Sequence, residues 1–133
     1  MITYVNKIDD VLQGIEDLIE TEFSFPVSYD DHRGNESILL IPISDELLDY
    51  NSASQTREYT VNVEYELVQN GQMNYDHLTK RAERIKRLLT NNSTNGTKWY
   101  NGRNESNEYQ QDDDEADKKR AVITFSCNIT EVY

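Results

Sequence analysis

The sequence predicts an α+β fold in which a mainly antiparallel sheet packs against two helices, with an extended hairpin and long polar loops. Two segments with three-to-four apolar spacing and two with strict alternation carry that expectation. Their order is helix, two strands, long strand, helix, one or two strands, and no internal repeat interrupts it. At 133 residues the chain fits one domain, 1–133, because about 100–200 residues normally share one core.

Residues 5–22 place Ile8, Val11 or Leu12, Ile15, Leu18 and Ile19 on one stripe, which is the pattern of an amphipathic helix. Thr3 or Asn6 is positioned to cap it, and Asp9 and Asp10 suit the positive end of its dipole. Gly14 is the one weak position. Phe23, Phe25 and Val27 then alternate, so 23–29 reads as a strand that Pro26 confines to an edge or an end. The run Asp30 to Asn35 is turn chemistry. Residues 38–43 follow as a second strand, which closes a hairpin, and Pro42 again marks an edge or end.

Residues 44–56 are polar and without strong period, and are expected as a loop with a helical turn at 46–49. Over 57–68 the alternation is clean. Tyr59, Val61, Val63, Tyr65 and Leu67 face one way, while Thr60, Asn62, Glu64 and Glu66 face a solvated or subunit-facing side. A second helix is expected over 75–90, capped by Asn74 and stapled by Met73 onto Leu78. Leu78, Ala82, Ile85 and Leu89 form its buried stripe. Its outer face carries Lys80, Arg81, Arg84, Lys86 and Arg87, with Glu83 and Arg87 as an i,i+4 pair.

Trp99 and Tyr100 open a short strand, Asn101-Gly102 signals a turn, and about 104–120 reads as a mobile acidic loop. The chain closes on a strand with Ile123, Phe125, Cys127 and Ile129 on one face.

Composition excludes several classes. Lys and Arg total 13 against 25 Asp and Glu, for a formal net charge of -12, and such a surface repels phosphates and anionic membranes. Direct DNA binding is therefore not the expected activity, although an acidic protein can sit beside DNA without adhering. The single Cys127 rules out a disulfide within the chain and is read as a small buried apolar residue. No stretch reaches the length of a membrane span, and Met1 to Tyr4 lacks signal-peptide character, so synthesis in the cytoplasm is expected.

Catalytic patterns are equally sparse. His32 and His77 lack partners at metal-ligand spacing and are expected in surface or packing roles. The sequence holds no Gly-x-Ser-x-Gly and no phosphate-cradling glycine loop, and Cys127 has no adjacent base. Asp117-Lys118-Lys119 matches the Asp/Glu-x-Lys wording of metal-dependent nucleases, but its hydrophilic surroundings lack a rigid strand to hold a catalytic carboxylate. No enzyme, metal or cofactor is expected.

The charge distribution suggests self-association instead. Five of the 13 basic residues lie on one helix, and seven acids lie between Glu105 and Asp117. Separated positive and negative regions can pair head to tail, and heterologous contacts of that kind close into rings.

Taken in this order, helix 5–22, the Leu40-Ile41-Pro42 strand end, strand 57–68, helix 75–90, the Trp99-Tyr100 region and the closing Val122–Cys127 strand resemble the tail-terminator, or tail-completion, proteins of long-tailed phages. The resemblance spans nearly the whole chain, and related neck and head–tail joining proteins share similar layouts. It implies a virion structural protein made in the host cytoplasm: a hexameric ring that ends the tail tube. The tube protein would lie on one face and a head-closure or connector protein on the other, with DNA passing through without specific binding. Under that resemblance Lys80, Arg81, Arg84, Arg87, Glu64 and Glu66 are candidate subunit-interface residues. Asp30, Asp31, Asp112, Asp113, Asp114, Glu115 and Asp117 are candidates to line or flank the lumen, where carboxylates would keep phosphates from adhering. An acidic DNA mimic is the competing class, disfavoured by the basic helix and by the crowding of five carboxylates into one loop.

Overall fold

The structure is a computed structural model that describes residues 1, 4–68, 74–112 and 118–133. In chain order the elements are α1 (Lys7–Glu22), β1 (Val27–Ser28), β2 (Glu36–Tyr50), β3 (Ser54–Val68), α2 (Asn74–Asn91), β4 (Tyr100–Gln111) and β5 (Lys118–Val132). The five strands form one sheet in the order β1-β2-β3-β5-β4, antiparallel except where β1 meets β2. Both helices pack on the same face. The α+β class is thus the observed one.

The periodic segments fold as their spacing dictates. Val11, Ile15 and Ile19 of α1 and Leu78, Ala82, Ile85 and Leu89 of α2 are buried against the sheet. Val61, Val63, Tyr65, Ile123, Phe125 and Cys127 meet them from β3 and β5. The Val, Leu, Ile and Phe side chains of this layer each contribute about 1.5–3 kcal/mol by leaving water. Asn6 occupies the N-cap of α1 without a side-chain bond, while Thr3 and Met73 lie outside the described residues. Asn74 is the first residue of α2 instead of its cap.

Four expectations are corrected. The strand expected over 23–29 shrinks to Val27–Ser28, and it runs parallel to β2, so no hairpin joins them. Phe23 and Phe25 are buried for another reason: they stack on each other at 4.8 Å, and Phe25 lies 5.5 Å from the Tyr65 ring. They plug the gap where α1 ends, and their alternation imitated a strand.

The loop expected over 44–56 is mostly sheet. β2 continues to Tyr50, β3 starts at Ser54, and Asn51 closes a tight turn by accepting from the Ala53 and Ser54 amides. Register shifts after Pro42 and after Leu47 break the alternation, which hid the strand. Pro42 does lie on an edge strand, as expected, because β1 covers β2 only at Ile38 and Leu39.

The expected mobile loop over 104–120 is likewise mostly paired. Residues 104–111 belong to β4 and 118–120 to β5, while 113–117 lie outside the described residues. Finally, Glu83 pairs with Lys86 at 2.6 Å and not with Arg87. Among the described residues no helix is long and apolar enough to cross a membrane.

Candidate functional site

The helix-free face of the sheet carries an ionic cluster. The even-numbered residues of β3 point to this face, and the 29–35 segment folds back over it. His32 is nearly buried there: its Nδ1 lies 2.7 Å from Ser37 Oγ, its Nε2 3.3 Å from Glu64 Oε2 and 3.8 Å from Glu66 Oε2. Arg120 closes the cluster from β5, with Nε 2.7 Å from Glu66 Oε2 and Nη2 3.6 Å from Asp112 Oδ2.

The electrostatics follow from these contacts. The hydrogen bond with His32 holds the Glu64 carboxyl below the usual range, against the opposing effect of burial; the charges of His32 and Arg120 add to it. The bond to Glu66 raises the already basic Arg120 further. Glu64 and Glu66 are therefore engaged within the chain, where they pin the 29–35 segment to β3 and β5. The same chain of contacts brings the Asp30-Asp31 turn and Asp112 to one end of the sheet. Asp30 and Asp31 are exposed, and Asp30 pairs with Arg33 at 3.2 Å. The remaining candidate lumen acids, Asp113, Asp114, Glu115 and Asp117, lie outside the described residues.

The basic face of α2 is neutralised in most places. Lys80 pairs with Asp76 at 2.9 Å, Arg81 with Glu36 at 2.9 Å, and Arg84 with Glu22 at 2.8 Å. Arg84 also lies over the Phe23 ring, 4.7 Å from its centroid, and so ties α2 to the end of α1. Arg87 is exposed and has no ion pair among the described residues. It borders a notch of about 230 Å³ lined also by Glu22, Arg84, Leu88 and Asn91.

Sequence reasoning missed a projecting arm. From Pro42 to Tyr50 every residue of β2 is exposed, because this part of the sheet runs past the helices. Ile43, Leu47, Leu48 and Tyr50 show between 49% and 66% of their surface to solvent. The apolar character of 43, 47 and 48 was the available signal, but the bulges and the interspersed Asp45, Glu46 and Asp49 masked it.

The chemistry available is limited. A groove of about 680 Å³ lies between α1 and β2 and is lined by Asp9, Asp10, Leu12, Gln13, Tyr29, Leu40 and Pro42. Burial pushes the Cys127 thiol up to about 12, which leaves it inert as a nucleophile near neutrality. Among the described residues no three His, Cys, Asp or Glu side chains are placed to hold a metal ion. His77 is exposed in the first turn of α2.

No protein-family profile matches the chain, and no curated protein matches its sequence. The fold does have a solved counterpart. A chain in the structure "Virion of native gene transfer agent (GTA) particle" superposes with a TM-score of 0.56 at 10% identity, covering 91% of this chain and 92% of that one. The likeness therefore runs over nearly the full length of both chains and concerns the fold.

Proposed function

We propose that the chain is a structural component of a phage-like virion, a ring protein that ends the tail tube and joins it to the head. The observation that carries this reading is the end-to-end fold likeness to a chain in a gene transfer agent virion. It agrees with the independent resemblance of the sequence layout to phage tail-terminator proteins, and with the marked acidity of -12. In this reading six copies close round an axis, the tube protein docks on one face, and a head-closure or connector protein docks on the other. The chain carries no enzymatic step.

The lumen would be kept slippery by carboxylates. Asp30, Asp31 and Asp112 share one end of the sheet and would supply such carboxylates, Asp30 and Asp112 being paired with Arg33 and Arg120. Phosphates passing such a surface are repelled and not bound. The same fold likeness also supports a neighbouring connector ring of the head–tail joint. Addition of the purified protein to growing tail tubes of its own particle separates the two: a terminator halts elongation and decorates one tube end. A protein that neither binds tube ends nor alters tube length is not the terminator.

A further inference from the structure

We infer that the projecting edge of β2, Ile43–Tyr50, of one copy docks on the exposed flank of α2 of a second copy, with Glu46 and Asp49 facing Arg87. This rests on the ring reading above and names the contact that would close it. The arm leaves Ile43, Leu47, Leu48 and Tyr50 in water, and its charges between 43 and 53 are all acidic: Asp45, Glu46 and Asp49. Asp45 is taken by Arg57 at 2.7 Å, while Glu46 and Asp49 have no ion pair among the described residues. A matching cation on the same chain is Arg87, which is exposed, has no ion pair among the described residues and stands beside the Leu88 notch.

Position supports the pairing. The register sets Leu47 opposite Arg57 and Tyr50 opposite Gln55, on the face that carries Tyr59, whereas Glu46 and Asp49 oppose Glu58 and Thr56 on the other face. At the rim of an edge strand, side chains of both faces reach one partner, so apolar and acidic groups can engage α2 together. Within one chain they cannot meet, because α2 packs over β5 and β4 while the arm belongs to the β2 side of the sheet. A patch on one flank that complements a different patch on the other gives a head-to-tail contact, the kind that closes into rings. Direct strand-to-strand extension is the weaker route. Both edge strands carry register shifts, after Pro42 and Leu47 in β2 and after Tyr100 and Asn104 in β4, and bulges turn an edge away from a new strand.

The test is a charge exchange read by sedimentation and negative-stain imaging of the full-length protein, with and without tail tubes. Arg87→Glu alone, and Glu46→Lys with Asp49→Lys, should each shift the ring to monomer at concentrations where the parent is assembled. An equimolar mixture of the two should recover assembly, because they can alternate round an even ring with opposite charges at every contact, and the triple variant in one chain should recover it as well. Unchanged rings in the separate variants overturn the contact while leaving the ring reading intact. Loss without recovery in the triple variant overturns the pairing as well. Rings that form normally but no longer bind tubes would assign the arm to the tube protein instead. A parent protein that stays monomeric even on tubes sinks the ring reading and this contact together.

Discussion

Trp99 packs closely against the backbone of Gly14: a Cβ built on the glycine would stand 2.4 Å from Trp99 Cζ3 and 3.0 Å from Cη2. The indole is 2% exposed, donates from Nε1 to the Asn92 carbonyl at 2.9 Å, and meets Phe125 edge-on at 5.5 Å. The glycine that weakens α1 in isolation is thus the groove that lets the α2–β4 connection dock on the helix. Gly14→Ala should destabilise the fold by about 1–3 kcal/mol, as overpacking does, although alanine favours a helix interior by about 1 kcal/mol. Urea denaturation measures it, and a variant more stable than the parent would contradict the packing.

The His32–Glu64 contact predicts a specific pH dependence. The Glu64 carboxyl ionises below its ordinary value of 4.5 in the folded chain. A carboxyl depressed in this way contributes stability that is complete above its unfolded value and is lost as pH falls through the folded one. Stability should therefore decline below about pH 4.5, where the pin between the 29–35 segment and the sheet is released. Glu64→Gln should cost about 1–2 kcal/mol at neutral pH and flatten the acid decline. Parallel acid profiles for parent and variant would show that Glu64 plays no part.

Arg84 and Arg87 lie on the same helix but should behave differently. Arg84→Ala removes the Glu22 pair and the cation over Phe23, both partly exposed, and should cost about 1 kcal/mol. Arg87→Ala should leave thermal stability within about 0.5 kcal/mol, since Arg87 is exposed and has no ion pair among the described residues. Equal losses in calorimetry would refute that distinction.

Cys127 offers a probe of global opening. It is fully buried on β5 and its thiol is pushed up to about 12. Reaction with a thiol reagent near neutrality should follow unfolding of the whole domain, with a rate that rises steeply with denaturant. Prompt modification of the native protein would show that β5 opens locally.

The helices, β3 and β5 were legible because each sets an apolar face against a mostly polar one, so period alone reveals them. β4 was not. Its inward positions include Asn104 and Asn107 where an apolar residue would be diagnostic, and Asn104 instead donates to the Lys86 carbonyl at 3.0 Å, tying the strand to α2. The distal half of β2 escaped for a related reason: no helix covers it, so nothing imposes alternation, and its bulges shift what pattern there is. Of the candidate site, the basic row of α2 could be read from spacing. That Arg81 and Arg84 are engaged by Glu36 and Glu22 could not, because those partners are 45 and 62 residues away in sequence. The pinning of Glu64 and Glu66 by His32 and Arg120 was hidden in the same way.

The proposed role requires that copies of this chain close into one assembly. Native mass spectrometry of the purified protein, alone and released from tail-tube ends, tests it most directly. The expected result is a discrete species of about six subunits of 15.5 kDa, free or tube-bound. A single subunit under both conditions, with no closed species at any concentration, would contradict it.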